Sequence, residues 1–459
     1  MYIQLVNNKL KSILMILINT NKVNLNNFKK EFYNEKFIIF LFSFLPISLI
    51  LGNTAINSNI LIIDSFFLFI CYRQKKWSWI NNKYFYFFIS IWIYLILNST
   101  ISTNTTTSVF DFIEGHEVYP QIESIIRSIG FIRFVIFLFA VQYFFVNSKK
   151  VFNQIFLYWS IIIFVVLIDI IFERILGYNL LGFKSPSSTR IVSFFKDELV
   201  VGNFVLGFGF LVSGFLFKSF KNSSKKKLLS NIFFCLIVIC IYISGERANF
   251  IKAVIISFVI LFLVNNAFFS LKKKYIFLLI IIGIMLSTLI SRNVYIRQIQ
   301  FFGNIQTFAQ KESIYEKYGH MKHFAHFETA WQIIKDYPIF GVGNSKFRFI
   351  CHDEKYFNSK IIYTYQRCSN HPHQVHLEIL SEQGILGYFI IIFTIFYVLL
   401  NSFIIYRKTR DITHLSSILF VVTFFIPLLP TGSFFSTFNG SIFWINFSFV
   451  YAFLNKPND

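Results

Sequence analysis

Charge is what this sequence has least of. Only 14% of its residues are Asp, Glu, Lys or Arg, where a soluble globular domain carries about 25%. That excludes an ordinary water-facing surface and implies lipid as the solvent. Acid is scarcer still, since 22 Asp and Glu against 43 Lys and Arg leave a formal net charge of +21. Such an excess would suit a nucleic acid, but the basic residues gather in short clusters between apolar runs, which argues against that partner. A cleavable signal peptide is also missing. The apolar stretch 13–18 is short, with no small-residue cleavage site after it, so residues 1–36 are expected to form a cytoplasmic, amphipathic leader. There is no internal repeat of the kind that marks many transporters.

What the chain does have is apolar length: 55% of residues are hydrophobic, and they come in runs. A membrane helix needs roughly 20 mostly apolar residues. About twelve segments approach this: 37–53, 58–72, 83–98, 123–146, 153–172, 199–217, 229–244, 248–265, 275–290, 384–404, 413–430 and 436–454. The connections alternate in charge. Arg73, Lys75 and Lys76, then Lys149 and Lys150, then Lys218 to Lys227, then Lys272 to Lys274, and finally Arg407 to Arg410 mark one side. By the positive-inside rule that side is cytoplasmic, and both termini share it. The expectation is an all-α polytopic membrane protein. Its leader spans 1–36, helices one to nine span 37–290, one large extracytoplasmic loop spans 291–383, and the last three helices lie in 384–459.

The large loop carries most of the polar chemistry. Phe324, Phe327, Trp331 and Ile334 recur at helical spacing, predicting an amphipathic helix over 323–337 that packs this face on the membrane or on other loop elements. Pro338 stops it, and Gly341-Val342-Gly343 makes a turn; it follows a helix, so it is no dinucleotide fingerprint. Cys351 and Cys368 share the loop and are expected to form a disulfide. Cys71, Cys235 and Cys240 fall in or near the apolar runs and are expected to pack as small apolar residues.

His371-Pro372-His373-Gln374-Val375-His376 then precedes the tenth apolar run. Pro372 suits a first helical turn, which would set these histidines at a helix start beside the membrane. Three uses remain open for them: a metal site, a polar helix cap, or a general base with a pKa suited to proton transfer near neutrality. The spacing lacks an i, i+4 pair, which disfavours metal. His320, His323, His326 and His352 are expected to be solvated surface residues.

Arg190 stands just before the sixth run, and Arg247 in the turn Ser244-Gly245-Glu246-Arg247 between the seventh and eighth. Each can snorkel to headgroups or offer a planar fork of donors to phosphate at a helix start. Inside the runs, Arg133 and Asp169 are expected to form a buried ion pair, while Asp64 has no evident partner. His116 lies in an acidic stretch, Asp111–Glu117, to which the sequence assigns no role.

Taken in order, four features resemble the O-antigen ligase and O-antigen polymerase superfamily. They are Arg190 with 194–198, Ser244-Gly245-Glu246-Arg247-Ala248, Trp331 through Pro338-Ile339-Phe340-Gly341-Val342-Gly343, and His371-Pro372-His373 followed by Leu377-Glu378 and Ser381-Glu382-Gln383-Gly384. The match is close over about 185–400. The resemblance implies a GT-C-like, metal-independent membrane glycosyltransferase of the bacterial inner membrane, without cofactor, acting at the periplasmic face. Its donor would be a glycan on undecaprenyl diphosphate, and its acceptor the lipid A–core oligosaccharide. Arg190 and Arg247 would bind the diphosphate, and His373 would be the base, with His371 close enough to compete. Gln374 stands where the family usually has Asn. A polymerase joining lipid-linked repeat units and a protein glycosyltransferase share the same donor groups. A transporter would instead gather its polar groups near the bilayer midplane.

Overall fold

The computed structural model describes residues 35–102, 109–111, 116–299 and 321–454. The leader up to residue 34, His320 and most of the acidic stretch around His116 lie outside them. Each of the twelve apolar runs coincides with helix. The first is α1 (Glu35–Ser43) and α2 (Leu45–Leu51), followed by α3 (Asn53–Gln74) and α4 (Lys83–Ile101). After a two-stranded ribbon, β1 (Val109–Asp111) antiparallel to β2 (His116–Val118), come α5 (Pro120–Gly130), α6 (Ile132–Asn147) and α7 (Lys149–Leu176). The chain continues through α8 (Val201–Ser219), α9 (Ser224–Ile243), α10 (Arg247–Leu263), α11 (Lys273–Ile290) and the short α12 (Arg292–Gln298). The loop holds α13 (Lys322–Asp336) and α14 (Phe347–Ile350), and the chain ends in α15 (Val375–Thr409), α16 (Ile412–Phe424) and α17 (Thr437–Leu454).

Among the described residues, eight spans are long and apolar enough to cross a membrane. The other runs fold as shorter or less apolar helices, which makes this an all-α polytopic membrane protein apart from its small ribbon. The centre is built on α8 and α17. From Gly440 to Phe453 every residue of α17 is buried, and Phe88, Phe131, Phe134, Phe434 and Phe443 pack around Trp444. Glycine lets α8 come close to its neighbours: a Cβ on Gly214 would lie 2.8 Å from the Ile412 carbonyl oxygen. By contrast α11 buries only Ile276 and Ile280, leaving an apolar perimeter suited to lipid.

Three expectations change. Asp169 does not pair with Arg133. Its Oδ1 accepts from Leu180 N (2.7 Å) and its Oδ2 from Ser193 Oγ (2.5 Å), so its helix is rotated toward its own C-terminal loop. Arg133 donates to the Gly130 carbonyl oxygen (2.7 Å) and interacts electrostatically with Asp64 instead.

The amphipathic helix forms as predicted in position, but its covered face is Ala325, His326, Thr329, Ala330 and Ile333; Trp331 is 48% exposed. Small residues let this face approach the rest of the loop closely.

Of the three histidines in the run, only His376 lies in the first turn of a helix. The helix α15 begins at Val375, capped by Gln374 Oε1 accepting from Leu377 N (2.8 Å), so Pro372 and His373 sit in the turn ahead of it.

Candidate functional site

Two carboxylates one turn apart on α7 shape the loop that carries Arg190. Glu173 accepts from Val192 N (3.2 Å) and Ser193 N (2.6 Å), while Asp169 takes the Ser193 hydroxyl. Ser193 is thereby held at a φ of 53°, a left-handed conformation that such fixed acceptors can stabilise. This loop crosses the α9–α10 turn, where Ile191 N donates to the Ser244 carbonyl oxygen (3.1 Å). The crossing requires glycine: Gly245 has φ 81°, and a Cβ there would lie 2.6 Å from the Thr189 carbonyl oxygen.

Four arginines gather around this crossing, among them Arg174, which donates to the Thr189 (3.3 Å) and Ile243 (2.8 Å) carbonyl oxygens. Arg190 donates to the Leu199 carbonyl oxygen (2.6 Å), Arg247 opens α10, and Arg297 of α12 donates from Nε to the Gly245 carbonyl oxygen (3.0 Å). Burial, then the charges of Arg247 and Arg190, lowers the Arg297 pKa to about 10. Such crowding of like charge is costly unless an anion offsets it. The partial offset is Glu246, whose Oε1 accepts from Gly202 N (2.7 Å) and Oε2 from Asn249 Nδ2 (2.6 Å). Burial raises the Glu246 pKa, against the pull of Arg190. Sequence reasoning singled out Arg190 and Arg247 and missed Arg297. The available signal was a cation just beyond an apolar run, on the side whose short loops lack Lys and Arg.

The histidines come together from two elements. Ring centroids lie 5.1 Å apart for His323 and His373, 5.1 Å for His326 and His373, and 4.3 Å for His371 and His373. His326 is buried and not solvated; its Nδ1 lies 2.9 Å from the Arg367 carbonyl oxygen. A carbonyl only accepts, so that nitrogen carries the proton. His371 Nε2 faces the Thr431 carbonyl oxygen (3.2 Å) and its Nδ1 faces the Asn370 side-chain amide (2.7 Å), so both of its nitrogens are engaged. His373, at φ 56°, has Nε2 3.1 Å from Ser369 Oγ, and its carbonyl oxygen accepts from Thr431 N (2.8 Å).

Burial, followed by the neighbouring His371, pushes the His373 pKa down to about 2. Burial likewise takes His371 to about 4. His323 keeps one edge open to solvent, yet withdrawal of its other face from water lowers it to about 4, with smaller contributions from His326, Arg247, Arg190 and Arg297. Those last causes put the arginines and histidines in one electrostatic neighbourhood. Burial thus disfavours the charged form of all three rings.

The scaffold under them is again carboxylate. On α15, Glu378 accepts from the Ser433 hydroxyl and from Phe434 N (2.9 Å), and Glu382 accepts from Ser345 N (2.8 Å). The segment Pro338–Gly343 clips across the break in α15. Val342 N donates to the Ser381 carbonyl oxygen (2.9 Å), and Ile385 N to that of Pro338 (2.9 Å). Cys351 and Cys368 are joined by a disulfide, with Cα atoms 5.4 Å apart. Arg367 donates to the Cys351 carbonyl oxygen (2.9 Å), which fixes the carbonyl that orients His326. Beside His371 a small polar cavity is lined by Arg127, Arg348, Glu378, Glu382, Ser433 and Asn439. Asn439 also bonds Asn203 (2.8 Å), next to the Gly202 that Glu246 holds.

This multi-pass membrane protein thus sets a cluster of arginines beside a cluster of histidines. Residues 232–392 match the family described as O-antigen ligase. The match covers well under half of the chain and supports the resemblance to the O-antigen ligase and polymerase superfamily. Arg247, Arg297 and all the clustered histidines fall in the matched segment, and Arg190 precedes it. No curated protein matches the chain.

Proposed function

We propose that this protein is an O-antigen ligase, transferring a glycan from undecaprenyl diphosphate to the lipid A–core oligosaccharide. It works in the bacterial inner membrane with twelve GT-C-like spans, both termini cytoplasmic and the site on the periplasmic face. The observation that carries this reading is the crowding of Arg190, Arg247 and Arg297 around Gly245, in electrostatic contact with the histidine cluster. Three converging cations suit a diphosphate, and their proximity to neutral imidazoles supplies a base at the same place.

In the reaction, the arginines hold the donor diphosphate. His373 takes the proton of the acceptor hydroxyl through Nδ1, which makes no hydrogen bond among the described residues; Ser369 holds the opposite nitrogen. His371 serves worse as base because both of its nitrogens are engaged. The hydroxyl oxygen bonds to the anomeric carbon as the bond from that carbon to the phosphate oxygen breaks, with inversion. The diphosphate leaves with the electron pair, and the fixed arginines stabilise its growing charge without reorganising. Arrival of the dianionic donor also raises the His373 pKa, because a nearby anion favours the imidazolium, so the base strengthens only once donor is bound.

The test supplies lipid-linked donor to membranes with either lipid A–core or a second lipid-linked repeat unit. Transfer to lipid A–core supports the ligase. Elongation on the carrier lipid instead makes it a polymerase, and transfer to neither acceptor overturns the reading.

A further inference from the structure

The histidine cluster is larger than proton transfer needs. His323 and His326, three apart on α13, face His373 from the turn before α15, and their candidate ligand nitrogens all lie within 4.8 Å of one another. We infer that His323, His326 and His373 form a three-histidine site for a zinc-class divalent cation, and that its occupation silences the base.

The geometry supports this on two counts. Zinc bonded to imidazole at about 2.0–2.1 Å with tetrahedral angles sets ring centroids about 5 Å apart. Here they are 5.1, 5.1 and 6.1 Å apart, so closing the site takes only side-chain adjustment.

The second count is the outer shell. Histidines that bind metal usually donate their other ring nitrogen to a carbonyl or a similar group. His326 Nδ1 does so to the Arg367 carbonyl oxygen at 2.9 Å, and His373 Nε2 has Ser369 Oγ at 3.1 Å. In His373 that arrangement keeps Nδ1 for the ion. The Arg367 carbonyl is itself held by the disulfide-linked loop.

Three neutral ligands leave a fourth position open. The arginines that influence His323 disfavour a bare cation, so the bound ion would carry hydroxide or a phosphate oxygen there. Sequence reasoning dismissed metal because His371, His373 and His376 lack a helical pair. The structure adds two histidines three apart on α13, and only the third ligand comes from that run.

The inhibitory consequence rests on His373 being the transferase base. A metal bond through Nδ1 occupies the lone pair that would take the acceptor proton, so bound metal and base catalysis exclude one another. Saturating zinc is then expected to slow transfer about 100-fold, the low end of what a general base contributes, and a chelator to restore it.

Metal binding is tested without any transfer reaction. The full chain, purified through a histidine-free tag, is titrated with Co²⁺ and read by its visible d–d absorption. One equivalent per chain with the intense bands of a four-coordinate ion is expected, displaced by Zn²⁺ and lost in both His323→Ala and His326→Ala. The transfer rate that remains in His323→Ala should no longer respond to zinc. Absence of the bands, or their survival in both variants, overturns the site. Bands together with zinc-insensitive wild-type transfer overturn the inhibition and the His373 assignment, and leave the metal site standing.

Discussion

Gly341 and Gly384 press backbone against backbone: a Cβ on Gly341 would lie 2.6 Å from Gly384 N. Both residues hold positive φ, 67° and 63°. The contact joins the turn after α13 to the break inside α15, so it fixes how the loop helices sit over the membrane helices. Alanine at either position adds a left-handed strain and an overlap with main chain, each about 1–3 kcal/mol. Gly341→Ala and Gly384→Ala should each lower the thermal midpoint of the purified protein. Because they damage one shared contact, the double variant should lose less than the sum of the singles. Strict additivity would show the two glycines to be independent.

His373 is expected to outweigh His371 in transfer. His373→Ala should cost at least about 100-fold in rate, the low end for a general base, with the protein still folded. His371→Gln keeps a donor and an acceptor near Asn370 and the Thr431 carbonyl oxygen, so a loss of about 10-fold or less is expected for a positioning role. The reverse ranking, measured in single-turnover glycan transfer, would reassign the base.

Arg297 should behave as a donor-binding residue on a par with Arg190. Removing a charged hydrogen-bond donor costs about 1.5–3 kcal/mol, so Arg297→Ala should weaken saturation by lipid-linked donor about 10- to 100-fold. Its effect on acceptor saturation should be small. Arg297→Lys should recover only part of the loss, since a point charge replaces a planar fork and the bond to the Gly245 carbonyl oxygen. An unchanged donor dependence in Arg297→Ala would remove it from the anion site.

The membrane helices were legible in the sequence because lipid demands long apolar runs. Helix rotation was not. Arg133 and Asp169 share a depth, yet Asp169 turns to Leu180 and Ser193 while Arg133 turns toward Asp64. Depth follows from position along a run; rotation depends on neighbours that one sequence does not name. The same limit explains α13, whose apolar stripe was expected to pack on the membrane or on other loop elements, while the side that meets the loop is another one. Small residues there permit the closest approach, and Trp331 is left 48% exposed. Within the site, Arg190, Arg247, His371 and His373 stood out because charge and imidazole are conspicuous beside apolar runs. Glu173, Glu378 and Glu382 did not, since each holds loop backbone far along the chain: Glu378 and Phe434 are 56 residues apart.

The disulfide should matter to the histidines more than to the bundle. Closing a loop of 17 residues is worth about 3 kcal/mol of unfolded-state entropy, and the loop it closes supplies the Arg367 carbonyl that orients His326. Reduction, or Cys351→Ser with Cys368→Ser, should speed hydrogen exchange through 351–373 while α8 and α17 stay protected. Equal loss of protection in the central helices would mean that the loop and the bundle unfold together.

Lys346 gives a pH dependence whose sign follows from burial. Its side chain is 1% exposed and donates to Ser102 Oγ (3.3 Å) and to Gln121 Oε1, tying the turn after Gly343 to the end of α4. Burial lowers its pKa to about 8, against about 10.4 in an unfolded chain. Between those values the unfolded chain holds more protons than the folded one, so this lysine's contribution to stability rises with pH across that window. Below about pH 8 the amine is charged in both states and the contribution sits at its minimum. Lys346→Gln removes the titration while keeping a donor for Ser102. The thermal midpoint of wild type minus that of Lys346→Gln should therefore grow between about pH 8 and about pH 10. A difference that stays flat across this range would mean that the amine keeps its water in the fold, and that burial at this tether has no energetic consequence.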